Sequence, residues 1–514
     1  MTWLEWSVVI IAVFYFIFAI DDLFFDTVYW VGRIAGWWRR PVVTIEELKQ
    51  APEMRIAIVT PAWKEHDVIA RMLLYNLPRI DYQMYDYWVG TYRNDPETRA
   101  EVDRVRPVYP NVWKVVTETD GPTSKADCVN AVLKGIVEHE KKAGIKYDLI
   151  VFHDVEDLIH PQELRLLNWY FGKNDGDFVQ LPVLSTPPKW YDFVAGTYID
   201  EFAEMYTKNM FVREKVWGFV PSAGVATCIR RGVIDRLMEE RNGVPFATNS
   251  LTEDYDLGLG MTVSGQKTRF LHQYVQVEEE GKTFEELVAT WAPFPQTFRT
   301  AVRQRTRWMA GIVYQGYEHW GWPRGLTWVL AHDRRGPLGY VVVLAGYLLL
   351  LYFVAYEWMR VFTDAGLPAV LDEPWFAWLF WIGLFFMLNR LLQRARSTGR
   401  LYGFWQALLS IIRTPFSNIV NLVATFRATT QYFKSRRTGI PMSWDKTEHS
   451  LPPQVGATLR LGERLIDEKK LTTQQLVVAL REQREKGGQI GAILVRQGVV
   501  TRDDVETIVR KTQA

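Results

Sequence analysis

The stretch that most limits how this chain can fold is Leu149-Ile150-Val151-Phe152-His153-Asp154-Val155-Glu156-Asp157. Four apolar residues of strand character run without a break into acid. A strand with no polar alternation is buried on both faces, as in a parallel sheet, and open α/β sheets bind ligands at the carboxyl edge. The acids Asp154, Glu156 and Asp157 are therefore delivered to a ligand edge. Three carboxylates this close repel one another unless a cation sits among them. Hard oxygen ligands with no Cys or His cluster beside them suit Mg²⁺ or Mn²⁺ carrying a phosphate. The plainer alternative is a strand end followed by an acidic turn.

The residues around this stretch alternate between strand and helix. Ile56 to Thr60 reads as a strand, and Pro61-Ala62-Trp63-Lys64-Glu65 turns out of it into a helix. Tyr87 to Tyr92 is a second strand, ending at Asn94-Asp95, and Val112 to Thr117 is a third. Ser124, with Asp127 three residues on, is placed to cap a helix that carries Ala126, Val129, Val132, Ile136 and Val137 on about one side. This order predicts an α/β domain over residues 50–330, its sheet mostly parallel and covered by helices on both faces.

A chain of 514 residues has room for more than that one domain. Trp6 to Ile20 is uninterrupted apolar sequence and resumes at Leu23 after Asp21 and Asp22, which predicts a membrane anchor over residues 1–40 if the acids lie near an interface or against protein. No small-residue cleavage site follows. Leu338 to Trp358 and Trp375 to Leu388 read as further spans, and 22 Trp fit interfacial belts. Arg33, Arg39 and Arg40 follow the first span, the loop Thr363 to Pro374 is acidic, and Arg390, Arg394, Arg396 and Arg400 follow the last span. The positive-inside rule then puts the α/β domain and the tail in the cytoplasm, with the lipid bilayer as a partner. Residues 403–433 are apolar but broken by Arg413, Pro415, Asn418 and Asn421, the pattern of interfacial or re-entrant helices. The formal charge of +1 gives no field for nucleic acid, and Cys128 and Cys228 read as small buried apolar residues in a reducing compartment.

Residues 434–455, rich in Pro, Ser and charge, read as a linker. Beyond them Gly462, Leu465, Leu471, Thr472, Leu476 and Leu480 recur as Gly491, Leu494, Val500, Thr501, Val505 and Val509. Two helix pairs forming one small all-α domain over 456–514 are expected, with Thr472 and Thr501 as caps.

The candidate chemistry lies on loops of the α/β domain. The turn Thr60-Pro61-Ala62 and the pair Asn94-Asp95 end strands where a base and ribose would be gripped. Lys125 and Asp127 open a helix whose free N–H groups suit phosphate. Thr252-Glu253-Asp254 precedes a Gly-rich stretch, and Gln304-Arg305-Thr306-Arg307-Trp308 puts two cations and an indole on about one helical turn. Singly, each has a dull reading: Lys125 as a solvated helix residue, Asp254 as a cap, Arg305 and Arg307 as surface or headgroup pairs, Trp308 as an interface anchor.

Together, Asp154-Val155-Glu156, Thr252-Glu253-Asp254 and Gln304-Arg305-Thr306-Arg307-Trp308 resemble the three motifs of the membrane-bound family-2 glycosyltransferases, whose processive members make cellulose, chitin and hyaluronan. Glu156 stands where that family usually has a second Asp. The resemblance implies a GT-A fold and an inverting transfer from a nucleotide sugar. In it Asp154 and Glu156 hold a divalent metal, and Thr60, Pro61, Ala62, Glu65, Asn94, Asp95, Lys125, Asp127 and Arg307 bind the nucleotide sugar. Asp254 is the general base, while Gln304, Arg305 and Trp308 meet the acceptor, a growing polysaccharide.

The tail resembles the amino-terminal domain of type II secretion ATPases, a binder of cyclic di-GMP. Its first copy supplies Arg460, Leu461, Gly462, Leu465, Leu476, Leu480 and Gln483. The second supplies Gln489, Ile490, Gly491, Leu494, Val505 and Val509, with Gln489 and Thr512 departing from the Arg and Gln of the pattern. An Arg plane can stack on guanine and Gly admits close backbone approach; a repeat packing on itself is the plainer reading. Both resemblances in one chain match a group of bacterial inner-membrane proteins that phage use for adsorption. They imply an exopolysaccharide made from a sugar such as a UDP-linked N-acetylhexosamine, activation by cyclic di-GMP, and an outer-membrane export partner. Transfer of a single sugar to a polyprenyl phosphate, and a scaffold with an inactive transferase domain, are the alternatives.

Overall fold

The computed structural model describes residues 3–39, 41–279, 281–363, 374–440, 442 and 460–513. Ile56 to Val59 and Leu149 to Val151 are apolar on both faces, and all of them are fully buried. Burial of each such side chain favours folding by about 1.5–3 kcal/mol, so these two strands take the middle of the sheet. The strand order is Val112–Thr117, Tyr85–Tyr92, Ile56–Pro61, Leu149–Phe152, Thr227–Arg230, Phe178–Gln180, Thr268–Phe270. The first four strands run parallel, with Val59 beside Phe152, while Thr227–Arg230 is antiparallel to both its neighbours. The register brings the turn after Pro61 and the turn after Phe152 to one edge, side by side.

The helix Lys125–Ala143 opens at that same edge. Ser124 Oγ accepts from Asp127 N at 3.2 Å, and the helix stops at Gly144, whose φ of +64° favours glycine. It packs so close to the sheet that a Cβ on Gly90 would lie 2.5 Å from Cys128 Sγ.

Four helices, Trp3–Ile34, Gly336–Phe362, Pro374–Tyr402 and Phe404–Thr438, are long and apolar enough to cross a membrane, by length and composition. Asp21 and Asp22 lie against protein: Arg335 reaches both, and Trp328 Nε1 donates to Asp21 Oδ1 at 2.7 Å. Two readings of the sequence change. The third of these helices does not stop at Leu388; it runs on to Tyr402, because Arg390 and Arg394 find the buried Glu204 and Arg396 lies over Trp30. Residues 403–433 are not several broken pieces but part of one helix that continues to Thr438, with Pro415 inside it. Its polar residues have partners: Arg413 pairs with Asp200, Asn421 accepts from Arg305, and Asn418 donates to Tyr347. Most of the acidic loop read between Thr363 and Pro374, and most of the linker after Thr438, lie outside the described residues.

The tail holds helices Leu461–Asp467, Thr473–Lys486, Ile490–Arg496 and Arg502–Gln513. Thr472 Oγ1 accepts from Gln475 N, and Thr501 Oγ1 from Asp504 N.

Candidate active site

At the end of strand Leu149–Phe152 the chain turns on a buried histidine. His153 Nδ1 lies 3.0 Å from Asp157 Oδ2 and Nε2 lies 2.7 Å from Glu163 Oε1, and Thr290 donates to the other Glu163 oxygen. Burial works against its charge, but Glu163 and Asp157 outweigh burial and push the imidazole up to about 10. It is a cation at neutral pH. Asp157 Oδ2 also accepts from Asp154 N at 2.9 Å. Oδ2 of the third acid is thus spent on holding the turn, and Asp154, Glu156 and Asp157 all line a cavity.

Lys125, at the head of its helix, places Nζ 2.5 Å from Asp154 Oδ1. Burial would lower this lysine, yet Asp154, Glu253 and Asp254 hold it above the ordinary range. Asp254 sits in the first turn of the helix Glu253–Val263. Burial raises its carboxyl, opposed by Lys125 and Arg307. Burial, with Asp254 beside it, raises Glu253 to about 7. A loop not singled out in the sequence, Pro221 to Gly224, forms the floor. Gly224 has φ +74° and a Cβ there would lie 2.4 Å from Asp254 Oδ2. Likewise a Cβ on Gly258 would meet Ser222 N at 2.6 Å. The glycines let the acid-bearing helix settle onto this loop.

The cavity has a volume of about 340 Å³. Of the residues expected there, Pro61, Ala62, Glu65, Lys125, Asp154, Glu156, Asp254, Gln304, Arg307 and Trp308 line it. Gln304 Oε1 and Arg307 Nε are buried with no hydrogen-bond partner among the described residues, so both are open to a ligand. Residues that sequence reasoning missed complete the wall: Trp63 and Tyr92, edge to face at 4.8 Å, at one end, and Phe202, Tyr206 and Phe294 beside Trp308 at the other. Cys128 also reaches the wall, its thiol pushed up by burial to about 12 and so uncharged.

Five expected residues do not line the cavity. Thr60 is buried within its strand and hydrogen-bonds Tyr87. Asn94 exchanges hydrogen bonds with the Gly121 backbone, and Asp95 caps the helix Pro96–Val105 while accepting from Lys64 N at 2.6 Å. Asp127 accepts from Thr119. These four shape the loops rather than reach into the space. Arg305 leaves the helix away from Arg307, since residues two apart lie on roughly opposite sides of an α-helix, and it shares the Tyr198 ring with Trp308. Its guanidinium holds Glu201 at 2.8 Å, Asn421 at 2.7 Å and Thr197 at 2.8 Å.

The model of the family described as "Glycosyltransferase like family 2" matches residues 52–311. The chain is 38% identical over 534 residues to "Bacteriophage adsorption protein B" of Escherichia coli (strain K12), covering 98% of this chain and 70% of that protein. "Bacteriophage N4 adsorption protein B" of Escherichia coli O157:H7 matches with the same figures. The chain belongs to the family-2 glycosyltransferases. A family-2 domain therefore supplies the sheet edge and cavity described above. Among solved structures, the mannosyltransferase PcManGT from Pyrobaculum calidifontis, in complex with GDP-Man and Mn²⁺, shares 15% identity at a TM-score of 0.46, covering 81% of this chain and 99% of that one. That likeness is too weak to bear on this glycosyltransferase's substrate or metal.

In the tail of this glycosyltransferase, Leu465, Leu476 and Leu494 are interior, and Leu461, Leu480, Ile490 and Val505 pack against the same core. Of these, Leu461, Leu480, Ile490 and Val505 are only partly buried. Gly462 is where Leu476 comes closest, and Gly491 where Leu461 and Val505 do. Arg460, Gln489 and Val509 stand at the surface, while Gln483 donates to Gly488 O. The side chain of Thr512 lies outside the described residues.

Proposed function

We propose that this chain is an inner-membrane polysaccharide synthase that transfers sugar from a nucleotide sugar, with inversion, to a growing exopolysaccharide. The observation that carries this reading is the convergence of Asp154, Lys125, Asp254, Arg307 and Trp308 on one cavity. They come from four separate stretches of chain.

The donor set fits a hard divalent cation. Asp154 and Glu156 offer carboxylate oxygens, Asp157 is held by His153, and the Cys128 thiol stays protonated. Mg²⁺ or Mn²⁺ held there would neutralise charge on the leaving diphosphate. The protein's own residues do the rest. Lys125 and Arg307 donate to the diphosphate oxygens. Pro61, Ala62 and Glu65, with Trp63 and Tyr92, bound the base and ribose end. Asp254 accepts the proton of the acceptor hydroxyl as its oxygen attacks the anomeric carbon and the bond to the diphosphate breaks on the opposite face. Gln304 and Trp308 hold the acceptor sugar, the indole presenting a flat face. A raised carboxyl suits a base that must take a proton near neutral pH.

The charge pattern supports a cytoplasmic site and tail, and the likeness to the adsorption proteins supports a role in phage adsorption; an outer-membrane export partner is expected for a secreted polymer. The Arg460–Gln483 pattern supports activation by cyclic di-GMP. A UDP-linked N-acetylhexosamine is the substrate expected. The test is a screen of nucleotide sugars against the protein in lipid with Mn²⁺, read by nucleoside diphosphate release and product length. Long products sustain the reading; a single lipid-linked sugar, or no turnover with any donor, removes it.

A further inference from the structure

The tail does not hang free of the transferase domain. Arg79 makes a bidentate pair with Glu463, at 2.5 and 2.6 Å, and both side chains are largely shielded. The next contact joins Arg460, whose Nη2 donates to Pro78 O at 2.8 Å, and Arg484 reaches Val108 O. Arg79 is itself braced, its guanidinium 3.8 Å over the Tyr75 ring. So the turn Arg460 to Glu463, the start of the motif assigned to the dinucleotide, is spent on the loop after the helix Ile69–Asn76.

That loop leads back to the acidic turn. Asn76 Nδ2 donates to Asp157 O at 2.8 Å and Asn76 Oδ1 accepts from Ile159 N at 3.0 Å. Asp81 N donates to Pro161 O and Asp81 accepts from Gln162 Nε2. Asp157 in turn holds the backbone of Asp154. An unbroken set of polar contacts thus runs from Glu463 to the carboxylate placed on the cavity edge.

We infer that the Arg79–Glu463 and Arg460–Pro78 contacts form a latch on the transferase domain that competes with cyclic di-GMP for the Arg460 turn. The inference rests on the reading of the tail as a cyclic di-GMP binder. Arg460 cannot both donate to Pro78 and lie flat on a guanine. Ligand and docked transferase domain therefore bind the same turn in exclusive states, and whatever weakens docking strengthens ligand binding by the same factor. Because the loop that Glu463 grips is tied to Asn76 and Asp157, the docked state is the one in which the acidic turn is held idle.

The experiment uses the full chain in lipid nanodiscs, with cyclic di-GMP binding by calorimetry and nucleoside diphosphate release as the two readouts. Arg79→Glu removes the latch from the transferase side, and Glu463→Gln is the milder variant from the tail side. Both should bind cyclic di-GMP at least about fivefold tighter than wild type, the low end of common coupling factors. Both should release nucleoside diphosphate without ligand at close to the ligand-saturated wild-type rate. Wild-type binding with unchanged affinity and unchanged unliganded rate in both variants overturns the latch and leaves the tail reading standing. Loss of the ligand-saturated rate in both also overturns it, since docking would then be the active state. No binding by wild type or either variant overturns the tail reading, and the competition falls with it.

Discussion

Lys125 Nζ lies 2.5 Å from Asp154 Oδ1, so the protein brings its own cation to the acid that faces the cavity. The ammonium offsets Asp154 and is within electrostatic reach of Glu253 and Asp254. Replacing it with the neutral Lys125→Met leaves these buried acids to repel one another and removes a donor to the diphosphate. Turnover measured by nucleoside diphosphate release at saturating donor should fall about 10²-fold or more. A variant with near wild-type turnover would assign Lys125 to the surface.

Asp254 is held above its ordinary range by burial, and its neighbour Glu253 stands at about 7. A base works only after it has lost its proton, so activity should rise with pH through a limb above the ordinary carboxylate range. Asp154 is a like charge that raises Asp254, so Asp154→Asn should move that limb to lower pH in whatever activity remains. Asp254→Asn should lower kcat about 10²-fold or more at every pH while donor binding persists. A pH–rate series on the three proteins checks all of this.

Gly224 is left-handed and touches Asp254, the proposed base, with space for no Cβ between them. Gly224→Ala should push Asp254 out of line and cost about 10²-fold in kcat, since small misplacements at a reacting group are expensive. Thermal unfolding of the variant in detergent should change far less than its rate does.

Arg305 holds Glu201 and Asn421, not the cavity. Arg305→Ala takes the cation from the half-buried Glu201, which keeps Ser417 and Asn421 as donors, and should lower stability. The expected result is a lower unfolding temperature in detergent with acceptor KM unchanged in the protein that survives. A pure acceptor KM effect would return Arg305 to the sugar-binding set.

His153, raised to about 10 from 6.5, adds stability that is complete below 6.5 and is lost as pH rises through 10. His153→Gln leaves Asp157 and Glu163 buried without their cation. Its unfolding temperature should lie below wild type, with a gap that narrows above about pH 10.

The central strands, their order along the chain and the acid-bearing turn were all legible, because unbroken apolar runs such as Ile56 to Val59 can only be interior. The motif residues separated cleanly once side-chain direction was known. Arg305 and Arg307 look equivalent in a string of letters, yet helical positions two apart leave on roughly opposite sides. Three adjacent acids show in the sequence, but not that the buried His153 claims one of them, Asp157. The floor loop Pro221 to Gly224 carries no charge, so nothing in its composition announced it. Helix ends near the membrane differ for a similar reason: Arg390 and Arg394 read as a loop after the span, and Arg413 as a break, because their partners Glu204 and Asp200 lie far away in the sequence.

The contact between Glu463 and Arg79 has a topological consequence. It joins residues 384 positions apart, so the apolar helices between them are closed into a loop whose two ends are pinned together. Among the described residues, Gly336–Phe362, Pro374–Tyr402 and Phe404–Thr438 lie inside that loop. The last of them is tied a second time, through Arg413 and Asn421, to Asp200 and Arg305 of the transferase domain.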